Sequence, residues 1–187
     1  MYRQVPASQG SIAWSTIARV WRAQAFAAVI AALLITLCGC SYNQPSTTTV
    51  VGTVSKVHDG DSIHITPAGD KRVIIRLAGI DAPELAQAFG LESRDKLRSL
   101  ILRRKAAARC HKTDRYKRQV CVVYQDNADV NLQMISSGLA WHYKQYESEQ
   151  TRKQRNAYSR AEREAQRNAV GLWSADHIAP WEFRQAN

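Results

Sequence analysis

From Val50 onward, hydrophobic and polar positions alternate with the two-residue period of half-buried strands. Ile63 and Ile65 are interleaved with Ser62 and His64, and Val73, Ile75 and Leu77 with Ile74 and Arg76. Val120, Val122 and Tyr124 form a third run. Turn-forming residues separate these runs at Asp59-Gly60, at Pro67-Ala68-Gly69-Asp70 and at Asp81-Ala82-Pro83. The period lengthens to that of a helix over residues 91–102, where Leu97, Leu100 and Ile101 share a face. It does so again over residues 129–139, with Leu132, Ile135 and Leu139 on one side and Asp129 placed as N-cap. A third, highly charged stretch over residues 149–170 sets Tyr158, Ala161 and Ala165 on one face, with Gly171 as its stop. This pattern predicts one α+β domain: a small, strongly bent sheet or barrel with helices packed on it.

The N-terminal region follows neither period. Residues 23–37 (AQAFAAVIAALLITL) are an apolar run of fifteen, preceded by Arg19 and Arg22 and followed by Cys38-Gly39-Cys40. The run is short for a membrane span and has the basic-then-apolar order of a secretory signal. Leu37-Cys38-Gly39-Cys40 resembles a bacterial lipobox, whose last cysteine is lipidated and becomes the mature N-terminus. Residues 1–39 are therefore read as a lipoprotein-type signal peptide, with an uncleaved signal anchor as the alternative. Residues 40–49, polar and containing Pro45, are read as a tether, residues 50–175 as the folded domain, and residues 176–187 as a C-terminal tail. The expected location is the bacterial cell envelope, with the exported chain held on a membrane or in the periplasm through lipidated Cys40.

Charge narrows the choice of partner. The chain of 187 residues carries 26 Lys and Arg against 16 Asp and Glu, a formal charge of +10. Since residues 1–39 hold three arginines and no acid, the remainder keeps 23 basic residues against 16 acidic ones. Such an excess favours polyanions, meaning nucleic acid or an anionic membrane surface.

Two cysteines remain in the domain, Cys110 and Cys121. They flank Thr113-Asp114-Arg115-Tyr116-Lys117-Arg118, which reads as a hairpin turn. A symmetric turn centred between Arg115 and Tyr116 sets the cysteines opposite each other, leaving open both a cross-strand disulfide and a pair of half-buried thiols. Two cysteines without matched histidines exclude a zinc site.

Chemistry concentrates in two turn-flanked clusters, Val57-His58-Asp59-Gly60-Asp61-Ser62-Ile63 and Arg76-Leu77-Ala78-Gly79-Ile80-Asp81-Ala82-Pro83-Glu84. Pro83 restrains the backbone between Asp81 and Glu84, and Arg76 points off the strand face that Ile75 and Leu77 give to the core. Carboxylate oxygens suit a hard cation and a guanidinium suits phosphate, so a site holding both can hydrolyse a phosphodiester. Walker loop, nucleophile elbow and dinucleotide fingerprint are all missing from the sequence.

In their order along the chain these clusters, together with Asp114-Arg115-Tyr116-Lys117-Arg118, Val130-Asn131-Leu132, Ser137-Gly138-Leu139-Ala140-Trp141 and Gly171-Leu172-Trp173, resemble the staphylococcal-nuclease-like (thermonuclease) family. The resemblance implies a five-stranded OB-fold barrel with three packed helices, an architecture associated with nucleic-acid binding. It also implies a Ca²⁺-dependent nuclease that hydrolyses DNA and RNA with little sequence specificity and leaves 3′-phosphate ends. By position, Asp61 and Asp81 resemble the side-chain ligands of Ca²⁺, with the Ala82 carbonyl as a backbone ligand and Asp59 close by. Glu84 resembles the residue that orients or deprotonates the attacking water, and Arg76 and Arg118 the pair that binds the scissile phosphate. Tyr143 and Tyr146 resemble the tyrosines flanking the nucleotide. The chain departs from the family at Lys117, where glycine is usual; a turn that demands positive φ there costs lysine about 1 kcal/mol or more. The expected enzyme is a monomer acting on DNA and RNA. The alternative is a non-catalytic OB-fold lipoprotein that binds single strands, which the presence of all five of Asp61, Arg76, Asp81, Glu84 and Arg118 disfavours.

Overall fold

The structure, a computed structural model, describes residues 47–186 apart from residue 70. The signal-peptide and lipidation readings, Cys40 included, lie outside the described residues. Strands β1 (Thr48–Val57), β2 (Ser62–Thr66), β3 (Val73–Leu77), β5 (Lys105–Thr113) and β6 (Gln119–Gln125) form the expected five-stranded barrel. They run in the order β3-β2-β1-β5-β6, and a parallel β3–β6 pairing (Arg76 opposite Val120, Leu77 opposite Cys121) closes the ring. Two short pairings complete the β structure: β7 (Ala128–Asp129) extends β6, and β4 (Ile80–Asp81) pairs with β8 (Trp141–His142). β1 begins at Thr48, so the last residues assigned to the tether already belong to the sheet.

Alternation along the strands fills the barrel. Val54, Ile63, Ile65, Ile75, Leu77, Ala108, Cys121 and Val123 are fully buried or nearly so. Helix α1 (Gly90–Ile101) closes one end with Leu97 and Ile101, and α2 (Val130–Ser136) packs Met134 and Ile135 into the same core. Asp129 caps α2 as expected, its side chain accepting from Leu132 N–H at 2.9 Å. Helix α3 (Arg152–Arg167) opens on a capping box formed by Thr151 and Gln154 and buries Tyr158, Ala161 and Ala165. It ends at Asn168, followed by Ala169 in the left-handed region, three residues before the expected stop at Gly171.

Three features differ from the sequence reading. β5 is a strand despite its Ala-Ala-Ala run: Ala106 and Ala108 pack inside, while Arg109 stacks on Tyr124 with Cζ 4.8 Å from the ring centroid. Lys105 and Arg109 thus belong to a barrel strand that the hydrophobic alternation did not mark. Glu162, one of the many charges of the highly charged stretch, lies on its buried side with Tyr158, Ala161 and Ala165; it accepts from His142 N–H at 3.0 Å and pairs with Lys144. A fourth helix, α4 (Pro180–Ala186), occupies the region read as a tail.

Candidate active site

The first carboxylate turn joins β1 to β2. Asp59 Oδ1 accepts the backbone N–H of Asp61 at 3.0 Å, which folds the turn on itself. Gly60 is demanded by space rather than by backbone angle, since a Cβ there would fall 1.9 Å from Ser93 Oγ and 2.6 Å from Ala82 Cβ. Helix α1 and the loop after β4 thus press directly on the turn. Asp61, nearly buried, then bonds to the second cluster: its Oδ2 accepts Ala82 N–H at 2.8 Å, and its Oδ1 accepts the Ser62 hydroxyl at 3.1 Å.

The second cluster is held by a turn at Gly79 (φ 69°) and by the short β4–β8 pairing, which sets Asp81 opposite Trp141. Buried Asn131 pins this turn to the barrel. Its Nδ2 donates to the carbonyls of Ala78 (2.9 Å) and Cys121 (3.3 Å), and its Oδ1 accepts Val123 N–H at 3.0 Å. Arg76 crosses from β3 into the gap between the clusters. Its Nη2 lies 2.7 Å from Asp81 Oδ1 and 3.1 Å from Asp61 Oδ2, and its Nη1 donates to the carbonyls of Leu77 and Ile80. The two aspartates expected to hold a cation therefore converge on one nitrogen atom.

Arg118 arrives from the β5–β6 hairpin. Lys117 does adopt positive φ (64°), and the turn nevertheless closes, with Lys117 N–H donating to Asp114 O at 3.0 Å. Asp114 organises it, since Oδ1 accepts the N–H groups of Tyr116 and Arg118, both at 2.9 Å, and Oδ2 takes Arg118 Nε at 2.8 Å. Arg118 Nη1 donates onward to Ser62 Oγ at 3.4 Å, and through that hydroxyl reaches Asp61. The cysteines are paired as a disulfide and stand opposite each other. The symmetry invoked to align them is only apparent: a five-residue turn centred on Tyr116 is offset by a bulge between Cys110 and Lys112.

Glu84 stands on the rim, its side chain 39% exposed. Its carboxylate is paired with Arg184 of α4, a residue the sequence reading passed over. Arg184 Nη1 lies 2.8 Å from Glu84 Oε1, and Nη2 lies 2.7 Å from Asp81 Oδ2. The signals available were Pro180 at a helix start and the apolar pair Trp181 and Phe183, too short a segment to show a period. Tyr143 and Tyr146 also line the cleft, their rings edge to face at 5.3 Å. Tyr143 stacks on Trp181 (5.5 Å, 18°), while Tyr146 is 44% exposed and carries Lys112 Nζ 4.5 Å above its ring.

Asp61, Arg76, Asp81, Glu84, Arg118, Tyr143, Tyr146 and Arg184 border one open cleft of about 1370 Å³, which also takes in Asp59, Ala82, Arg115 and Tyr116. Its electrostatics are strained towards the negative. Burial, reinforced by the Asp61 charge, pushes the Asp59 carboxyl up to about 6. Burial also raises Asp81 above the usual carboxylate range, against the pull of Arg184 and Arg76. Six carboxylates (Asp59, Asp61, Asp81, Glu84, Asp114, Glu149) line the cleft against five cationic side chains (Arg76, Lys112, Arg115, Arg118, Arg184), and the carboxylates not paired with Lys112 or Arg118 gather at the Asp59–Glu84 end. Among the described residues no cluster of three or more His, Cys, Asp or Glu side chains forms a ready metal cage. Two convergent aspartates in a wet cleft instead fit a hard dication that draws its other ligands from carbonyl, water and substrate oxygens.

The staphylococcal nuclease homologue family matches residues 74–175, which include Arg76, Asp81, Glu84 and Arg118. The chain is 37% identical over 133 residues to an "Uncharacterized endonuclease" of Haemophilus influenzae, covering 71% of each protein. It is 35% identical over 146 residues to "Micrococcal nuclease" of Shigella flexneri, covering 73% of this chain and 81% of that one. A third relative, an "Uncharacterized endonuclease" of Escherichia coli O157:H7, is 37% identical over 135 residues, or 71% of this chain and 84% of its own. With the barrel, the carboxylate clusters and the hairpin arginine in the places the motifs require, this chain belongs to the staphylococcal nuclease homologue family.

Proposed function

We propose that this protein is a Ca²⁺-dependent nuclease that hydrolyses phosphodiester bonds of DNA and RNA with little sequence preference and leaves 3′-phosphate ends. Hydrolytic nuclease chemistry and a nucleic-acid substrate come with the family; the metal, the range of substrates and the product ends are the finer part of the reading. The observation that carries it is the meeting of Asp61, Asp81 and Arg76 on one atom, with Glu84 and Arg118 bordering the same cleft.

Asp61 and Asp81, with the Ala82 carbonyl, would hold Ca²⁺, which supplies positive charge for the phosphate and its attacking water. Glu84 accepts or directs the proton of that water. Arg118, with 28% of its side chain exposed against 14% for Arg76, meets the incoming phosphate first. The two guanidiniums then give rigid donors to the non-bridging oxygens as their charge builds up. Tyr146 and Tyr116, both exposed at the cleft, offer ring faces on which unpaired bases stack. The proposed enzyme acts as a monomer. The signal-like residues 1–39 and Cys40 support export and lipid anchoring at the cell envelope. A Cys40→Ser variant should then leave the membrane fraction, and continued membrane association would refute the anchor.

The test of the activity is digestion of heat-denatured DNA and of RNA by the purified protein with Ca²⁺ and with a calcium chelator. Calcium-dependent cleavage with 3′-phosphorylated ends is expected. Single-strand binding without cleavage under any condition would leave a binding module in its place.

A further inference from the structure

Helix α4 is docked by contacts that owe nothing to the carboxylates. Trp181 stacks on Tyr143 and meets the edge of Trp141 at 6.2 Å, and Ala179 and Pro180 are buried at the helix start. Gln87 ties the same segment to the Glu84 loop from another side: its Oε1 accepts Glu84 N–H at 2.8 Å, and its Nε2 donates to Ile178 O at 3.0 Å. Arg184 is therefore delivered to the cleft by a fixed scaffold. What it reaches is specific. One planar guanidinium spans two carboxylates of unlike character, fully buried Asp81 and half-exposed Glu84. Among the described residues it is the one cation within salt-bridge distance of Glu84.

We propose that Arg184 is a positioning residue of the hydrolytic site, fixing the Glu84 carboxylate relative to Asp81 so that base and metal-side ligand keep one geometry. The inference rests on the function proposed above and extends it to the C-terminal helix. Glu84 projects from the loop on a flexible side chain with its carboxylate at the rim, where water would otherwise let it sample many rotamers. Because Nη2 is anchored on Asp81, the rigid guanidinium aims its Nη1 at Glu84 Oε1 in one direction and restricts that freedom, which a point charge cannot do. Misplacing a reacting group by about 1 Å costs on the order of a hundredfold in rate. The same guanidinium is a like charge beside any dication held by Asp81, so it weakens metal binding while it orders the base. Its removal should move metal affinity and turnover in opposite directions, and an unaltered near-ultraviolet dichroism spectrum separates this from undocking of α4, which would take Trp181 off Tyr143.

The experiment compares the parent, Arg184→Gln and Arg184→Lys as full-length proteins. It reads kcat and KM on denatured DNA, and it reads Ca²⁺ binding by calorimetry without DNA. For Arg184→Gln, kcat should fall about 10–100-fold with KM changed less than about threefold, while Ca²⁺ binds about 3–10-fold more tightly. Arg184→Lys keeps the charge without the fork, so it should bind Ca²⁺ like the parent yet recover only part of kcat. Unchanged kcat in Arg184→Gln would overturn the proposal, and so would weaker Ca²⁺ binding accompanying the loss, which marks a structural role. A rise in KM with kcat intact would make Arg184 a phosphate contact instead. If the parent itself neither binds Ca²⁺ nor cleaves DNA, the proposed function fails and this inference with it.

Discussion

Arg118 is aimed by Asp114. The carboxylate holds both the backbone N–H (2.9 Å) and Nε (2.8 Å) of the arginine four residues along, so the hairpin fixes the side chain as well as the chain path. An Asp114→Asn variant keeps a backbone acceptor but loses the charged partner for the guanidinium. Turnover on denatured DNA should fall on the order of tenfold or more, since a freed guanidinium no longer matches the developing charge. Steady-state kinetics alongside an unaltered circular dichroism spectrum would separate this from misfolding.

The same pair predicts a pH effect on stability. Burial pushes the Asp114 carboxyl up, but the Arg118 N–H, its guanidinium and the Tyr116 N–H outweigh it and hold the group below its ordinary 3.8. A depressed folded value means that the stabilisation is present above the unfolded value and is lost as pH falls through the folded one. Asp114→Asn lacks it at every pH. The gap in thermal midpoint between parent and variant should therefore be widest near neutrality and close as pH drops below about 4.

Lys117 occupies a left-handed backbone position without the benefit of glycine. The strain is about 1–2 kcal/mol, partly offset by the extra unfolded-state entropy of glycine, about 0.5–1 kcal/mol. Lys117→Gly should thus stabilise the fold by about 0.5–1 kcal/mol, read as a higher urea midpoint at constant slope. Arg118 stays anchored through Asp114, so turnover at low salt should change little.

The Cys110–Cys121 disulfide staples the hairpin that presents Arg118, with eleven residues of sequence separation. Closing so short a loop is worth about 2–3 kcal/mol by chain entropy. A Cys110→Ser, Cys121→Ser double variant should lose about that much in urea denaturation and shed activity before global unfolding, as the hairpin loosens first.

The barrel was legible because its strands alternate cleanly, and the two carboxylate clusters because turn residues bracket them. β5 hid behind three alanines, which pack well inside a tight barrel yet give little local preference for a strand. Glu162 looked like one more charge on a charged helix; only the fold brings His142 N–H and Lys144 to it. The cost at Lys117 was readable from the turn, but its tolerance was not, since that depends on the Asp114 and Ser62 contacts holding Arg118. Arg184 was invisible for the same reason. It lies about a hundred residues from its partners in sequence, on a helix of seven residues, and its pairing is purely tertiary.

In the proposed function Asp61, Asp81, Arg76, Glu84 and Arg118 act as one phosphodiesterase site. Asp61 is its keystone, bonded to Ala82 N–H and within 3.1 Å of Arg76. The most direct measurement is the rate of denatured-DNA digestion by Asp61→Ala against the parent at saturating Ca²⁺, with binding of a non-cleaved oligonucleotide followed in parallel. Digestion should fall by on the order of 10²–10³ with oligonucleotide affinity largely kept. An Asp61→Ala protein that digests as fast as the parent would show that these residues are not the hydrolytic site.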